Sequence, residues 1–269
     1  MQSQLNSLAR NRWPFIFEIL QPIPVTLAVL ITFCAYFIFG VSGFGSSIVA
    51  VPLLVQLYPL TTVVPMMVLM DICASLYLGR KVSSDANKKE LVWLFPFTLI
   101  GMAIGIALLM NSPSEPLLLT LGLFAAANGL RILFQKSSTE HIAIHKWWAL
   151  PFGTAGGIFT ALFATGGPIY VSYLGMRISD PKVVRATMAF AIFMLTILRL
   201  IFMVAVGLIL SLDVFILAAV LATPLFIGIA AGTKFHTKLS QTAMKRSVGL
   251  ILIFSGTMLL LRQVTDWFQ

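Results

Sequence analysis

Six stretches of the chain, residues 62–79, 91–110, 116–134, 184–207, 212–232 and 246–261, are nearly unbroken apolar runs. Each has about the 20-residue length that carries a helix across a hydrocarbon core of about 30 Å. Two further apolar stretches are too long for one crossing. Residues 24–58 would form a rod of about 52 Å at 1.5 Å per residue, and residues 147–175 are also over-length. Each is interrupted by a glycine-rich patch, "FGVSGFGSS" (39–47) in the first and "TGGP" (165–168) in the second. A helix in lipid must pair its backbone groups internally, because an unpaired one costs several kcal/mol there. The patches are therefore where the chain leaves regular helix, and each long stretch is expected to form a broken, re-entrant helical hairpin. The expected fold is an all-α integral membrane protein with about eight spanning or hairpin elements.

Charge supplies the topology. Only 10% of the 269 residues are charged and 59% are hydrophobic, against about a quarter charged in soluble domains. The formal net charge is +9, yet the basic residues do not gather on one face as a nucleic-acid surface requires. No nucleic-acid partner is expected; the bilayer is. The connectors 80–90, 131–146, 177–185 and 233–246 hold fourteen of the eighteen Lys and Arg, while 59–61, 111–115 and 207–213 hold none. Under the positive-inside rule the basic connectors are cytoplasmic. The span 62–79 then runs inward, 91–110 outward and 116–134 inward. Residues 147–175 must enter from inside and return there, because a single crossing would put the basic connector 233–246 outside.

The two halves then match in pattern and oppose in direction, each with a broken hairpin followed by three spans. A shift of 122 residues aligns Gly45 with Gly167, Pro59 with Pro181 and Met66 with Met188. The expected division is an N-terminal interfacial segment (1–23), a first repeat (24–134), a cytoplasmic connector (135–146) and a second repeat (147–262). Both termini are expected outside a cell inner membrane, with Arg10 and Arg12 a mild exception and "WPFIFEIL" (13–20) along the interface. No small-residue cleavage site follows the first apolar run, which therefore reads as uncleaved. Cys34 and Cys73 fall in apolar runs without a CxxC or Cys/His cluster, and are expected to pack as small buried hydrophobes.

Inverted repeats with discontinuous helices are a design of secondary transporters. Half-helix N-termini present unpaired N–H groups and the positive end of the helix dipole, which suit an anion. Here glycine lets a ligand approach the backbone, while Ser42, Ser46, Ser47 and Thr165 add hydroxyl donors. Close helix packing of small residues is the competing reading of one such patch; two at corresponding places favour binding. Two charges lie inside spans, Asp71 and Arg199, and a charge at the helix centre costs at least about 2.5–3.5 kcal/mol. Arg199 is a candidate partner for a substrate anion and Asp71 for a coupling ion, H⁺ or Na⁺. The alternative is that they pair and lock two helices. Asn128 is a secondary candidate for lining a path, and Arg131 is expected to snorkel to the interface.

Other classes fit less well. "GVSG" (40–43) is the G-x-S-G sequence of an intramembrane serine protease, but Ser42 would need a histidine base at its own depth. His141, His145 and His236 all lie in hydrophilic connectors. No enzyme activity and no cofactor or metal is expected. No Walker A sequence occurs, so the energy source is a gradient or a separate ATPase. An anion channel remains the alternative to a coupled transporter.

The two patches, "GVSGFGSSIVAVPLL" (40–54) and "GGIFTALFATGGPIYVSYL" (156–174), together with about eight spans over nearly the whole chain, resemble the TauE/SafE family of sulfite and organosulfonate exporters. The resemblance implies export of small sulfur-containing anions driven by ion gradients. Carried onto this chain it marks Gly43, Gly45, Gly166, Gly167 and Pro168 as site residues. Phe44 interrupts a glycine run that is fuller in the family, which implies a narrower cavity. The expected substrate site is thus Ser42, Gly43, Gly45, Ser46, Thr165, Gly166, Gly167, Pro168 and Arg199.

Overall fold

A computed structural model of the chain describes residues 21–42, 45–78, 86–134, 144–235 and 241–267. Ten α-helices run through them: α1 (Pro22–Ser42), α2 (Ser46–Leu54), α3 (Leu60–Leu78), α4 (Lys88–Asn111), α5 (Ser114–Phe134), α6 (Ala149–Phe163), α7 (Gly167–Arg177), α8 (Pro181–Ala205), α9 (Leu212–Phe235) and α10 (Gln241–Trp267). Polar residues fix several boundaries. The Asn87 side chain accepts from the Glu90 N–H at the start of α4, and Asp180 accepts from the Lys182 N–H at the start of α8. Both are helix-initiating caps in basic connectors, where the sequence turns from polar to apolar.

Seven of these helices, α1, α3, α4, α5, α8, α9 and α10, are long and apolar enough to cross a membrane. The protein is a multi-pass, all-α membrane protein. The six apolar runs read from the sequence all correspond to such helices; the seventh is α1. At 21 residues it is about 31 Å long, so the first broken element pairs a full-length helix with the nine-residue α2. In the second element neither the 15-residue α6 nor the 11-residue α7 is long enough to cross. The two arms are unequal because α2 ends at Leu54, its ninth residue.

The most extensive contacts join α4 to α6, α5 to α10 and α1 to α9. Glycine makes each seam close. Gly101 and Gly105 face Thr154 and Ile158, and Gly228 and Gly232 face Phe33 and Phe37, so α4 runs parallel to α6 and α1 parallel to α9. Gly122 faces Gly256 while Gly129 faces Gly249, so α5 and α10 run antiparallel. Without a hydrophobic force between helices in lipid, such close backbone approach is the main source of attraction. The α4–α5 and α9–α10 pairs are separated by two and five residues, too few to recross a core of about 30 Å. The helices of each pair therefore point in opposite directions, and these directions together oppose α6 to α1. One buried cluster centres on α1, α2, α3 and α9, and a second on α4, α6, α7 and α8.

Much of the apolar surface faces outward. A third of the α1, α5, α8 and α10 spans is buried, against half of α3, the most enclosed span. Cys34 and Cys73 are exposed rather than buried, correcting the expectation for them. In lipid an apolar side chain gains nothing by facing inward, so small hydrophobes need not be core.

The end of α7 is tied to α4. Arg177 donates through Nη2 to Glu90 Oε1 (2.6 Å) and through Nε to Glu90 Oε2 (3.0 Å), and through Nη1 to the Ile144 carbonyl (2.7 Å). The hydrogen bonds to Glu90 and its negative charge raise the Arg177 pKa above its ordinary value. Arg177→Gln loses a bidentate charge-assisted pair and is expected to destabilise the protein by about 1.5–3 kcal/mol. A Tm equal to wild type in detergent would show that the pair contributes nothing.

Candidate functional site

The first break begins α2 at Gly45, whose φ of 95° is left-handed backbone that costs a non-glycine residue roughly 1–2 kcal/mol. This turn points the start of α2 at α3, so Ser46 and Ser47 both reach Asp71. Ser46 Oγ donates to Asp71 Oδ1 (3.1 Å) and Ser47 Oγ to Oδ2 (2.8 Å). Tyr36 of α1 donates to Oδ1 as well (2.9 Å). Arg199 of α8 completes the set, Nη2 to Oδ2 at 3.3 Å. The carboxylate thus accepts from α1, α2 and α8 at once.

Arg199 also reaches the second break. Its Nη1 donates to the Thr160 carbonyl (3.4 Å) in the last turn of α6, where unpaired carbonyls and the negative end of the helix dipole favour a cation. The α6 helix stops abruptly. Ala164 takes φ 59°, the one described non-glycine residue with positive φ, and the Thr165 N–H returns to the Phe159 carbonyl (3.3 Å). Backbone held in this sparsely populated region clusters at functional sites. Gly166 then caps α7, with Gly167 its first residue and Pro168 in its first turn.

The arrangement leaves donors unused. Arg199 is 3% exposed and Thr165 2% exposed, and neither Arg199 Nε nor Thr165 Oγ1 has a hydrogen-bond partner among the described residues. Buried polar atoms are nearly always paired. The two residues are anchored by other atoms, Arg199 through Nη1 to the Thr160 carbonyl and Thr165 through its N–H to the Phe159 carbonyl, so both carry an unused donor at the end of α6.

Of the expected site residues, Ser46, Asp71 and Arg199 come together, joined by Ser47. Thr165, Gly166, Gly167 and Pro168 form the second break. Gly45 sets the first turn, Ser42 ends α1, and Gly43 and Phe44 lie outside the described residues. So do Arg10, Arg12, the segment 13–20, His141 and His236. Asn128 lies elsewhere, on an open pocket of about 270 Å³ between α5, α6 and α7 that Pro168 also lines. There Arg131 donates to Ser172 Oγ (2.7 Å) and Asn128 Nδ2 to the Phe124 carbonyl (2.8 Å).

Two participants were not singled out from the sequence. Tyr36 carries a signal, since a tyrosine within an oily span needs a partner for its hydroxyl. Thr160 contributes a main-chain carbonyl, for which a side chain gives no warning. Among the described residues no group of three His, Cys, Asp or Glu side chains could hold a metal ion.

No solved structure matches the chain. A probable inner membrane transporter protein, TsaS of Comamonas testosteroni, is 23% identical over 191 residues, which cover 71% of this chain and 80% of that protein. The family model described as sulfite exporter TauE/SafE matches residues 28–259. That match takes in both broken helices and the Asp71–Arg199 pair between them, and the chain belongs to the TauE/SafE sulfite exporter family.

Proposed function

We propose that the protein is a secondary transporter that exports small sulfur-containing anions, such as sulfite or organosulfonates, across the cytoplasmic membrane. That it is a membrane transporter follows from its family and from the transporter relative. The observation that carries the finer reading is the buried Arg199, which bridges both breaks and keeps one N–H unpartnered. A permanent cation beside the hydroxyls around Asp71, its one ion-pair partner among the described residues, is suited to a small oxyanion.

In this reading Arg199, Ser46 and Thr165 contact the anion, with the backbone at Gly45, Gly166 and Gly167 allowing its approach and Asp71 carrying the coupling ion. The opposed directions of α1 and α6 support two inverted repeats, each with one break, and so a site reached alternately from either side. The positive-inside rule applied to the basic connectors supports a cytoplasmic face for the open pocket beside Asn128 and Arg131, where an exported anion would first be met. Both termini then face the periplasm.

The test is flux into proteoliposomes of sulfite, sulfoacetate, taurine and acetate in turn, with and without a pH gradient. Saturable movement of a sulfur anion that responds to the gradient is expected. A channel would instead dissipate every gradient without saturating. If folded protein moves none of the sulfur anions, the substrate assignment fails.

A further inference from the structure

We propose that in the unloaded transporter the Asp71 carboxylate occupies the substrate's own place on Arg199, so that a monoanion binds only as Asp71 takes up a proton, and anion and proton cross together as a neutral pair. This rests on the anion-transport reading above and adds to it a coupling rule and the charge of the substrate.

The carboxylate sits in what is chemically an anion receptor. Its two oxygens take the hydroxyls of Tyr36, Ser46 and Ser47 and one guanidinium N–H of Arg199. Each of these donors suits a sulfonate or hydrogensulfite oxygen equally well. Such an anion brings three acceptor oxygens where a carboxylate brings two. The additional acceptor can take the Arg199 Nε–H that Asp71 leaves unpaired, and Thr165 Oγ1 is a second buried hydroxyl without a partner among the described residues.

Among the described residues no other charge is placed to compensate the pair. The helices α4 and α7, which pack on α8, carry Lys88, Lys89, Glu90 and Arg177 only at their ends, where Glu90 and Arg177 pair with each other. The helices α1, α2 and α6 contain no charged residue, and α9, which also packs on α3, carries Asp213 and Lys234 only at its ends. The other charges of α8, Lys182 and Arg185, stand in its first turns, far from Arg199. The charge of the centre is then counted simply. Arg199 with ionised Asp71 is neutral. Arg199 with a monoanion and protonated Asp71 is neutral. A monoanion beside ionised Asp71 leaves one negative charge, and protonated Asp71 without an anion leaves one positive charge. A lone buried charge is strongly disfavoured, so the carrier reorients only when empty or fully loaded.

The exchange balances. Water on the loading side gives a proton to an Asp71 oxygen, the Arg199–Asp71 bond opens, and the anion takes that bond; release on the far side reverses each step. A dianion such as sulfate would leave one negative charge and is rejected. Because the loaded carrier is neutral, the membrane potential does not drive it. An acidic exterior opposes export, so net export begins only when the internal anion exceeds the ratio set by the pH gradient. The transporter then relieves accumulation rather than emptying the cell.

Full-length protein in liposomes with a lumenal pH dye tests this with methanesulfonate as the probe. An inward methanesulfonate gradient is expected to acidify the lumen at a rate unchanged by a potential of about 100 mV. Translocation of one net charge would instead shift the accumulation ratio about fiftyfold. Asp71→Asn, fixed in the neutral form, is expected to exchange methanesulfonate for methanesulfonate while net flux falls at least about a hundredfold, because its empty state holds an unpaired buried charge. Potential-driven wild-type flux, or sulfate moving as fast as methanesulfonate, overturns the coupling rule and leaves anion transport standing; neither depends on a variant folding. Loss of exchange together with net flux in folded Asp71→Asn also overturns it. If the wild type moves no sulfur anion in either mode, the underlying reading fails and the rule with it.

Discussion

Arg199→Gln is expected to abolish saturable anion flux, by at least about a hundredfold, and to destabilise the protein by about 3–5 kcal/mol, the usual cost of leaving one partner of a buried ion pair alone. The two effects separate in a second variant. Arg199→Gln combined with Asp71→Asn removes both charges and replaces them with amides that still accept and donate. With both partners removed no lone charge is left buried, the source of most of the single variant's cost, so the double variant is expected to recover most of the lost stability. It regains no transport, because no cation remains to hold the anion. The coupling between the two substitutions, measured by thermal unfolding in detergent, reports the pair itself. If instead the double variant recovered flux along with stability, Arg199 would be a strut between α3 and α8. If the single variant transported at the wild-type rate, no site built on Arg199 would survive.

The distinction matters because the pair serves both descriptions. It joins α3, in the cluster around α1, α2 and α9, to α8, in the cluster around α4, α6 and α7. A fixed bond there would hold the two clusters in one arrangement. A bond that opens when an anion and a proton arrive would release them together. Stability alone cannot tell a lock from a latch, whereas flux in the charge-free variant can.

Much of this centre was legible in the sequence, for identifiable reasons. Asp71 and Arg199 stand out because charge inside an apolar run is costly, and a cost that persists points to a role. The breaks stand out because glycine and serine interrupt runs too long to be one helix. Pairing partners were less accessible. Nothing in a linear pattern places Ser46 and Ser47 against Asp71; that depends on the left-handed turn at Gly45, from which α2 starts. The unequal length of α1 was hidden because its apolar stretch continues past the break without a change in composition. The cysteines were misplaced by a rule from soluble proteins, where apolar means buried; a bilayer removes that asymmetry.

At the second break, adjacent glycines are expected to respond in opposite ways. A Cβ on Gly166 would lie 2.5 Å from the Gly156 carbonyl oxygen and 2.9 Å from the Tyr170 ring. The same carbonyl takes the Thr160 hydroxyl (2.7 Å), which also contacts Tyr170 Oη (3.3 Å). Gly166→Val therefore forces apart the two arms of the α6–α7 hairpin. Overpacking of this kind costs about 1–3 kcal/mol or more, and the variant is expected to lose folded protein. Gly167 has no atom within 4 Å of a Cβ position and no positive φ. Gly167→Leu is therefore expected to keep the wild-type Tm, since the helix starts there without strain and the side chain enters open space. If that space is where the anion approaches the break, flux falls at least about tenfold, the effect of 1.4 kcal/mol. Folded Gly167→Leu with wild-type flux would place the open face of Gly167 outside the path. The second break would then turn the chain without binding anything, and the site would contract to Arg199 and the hydroxyls around Asp71.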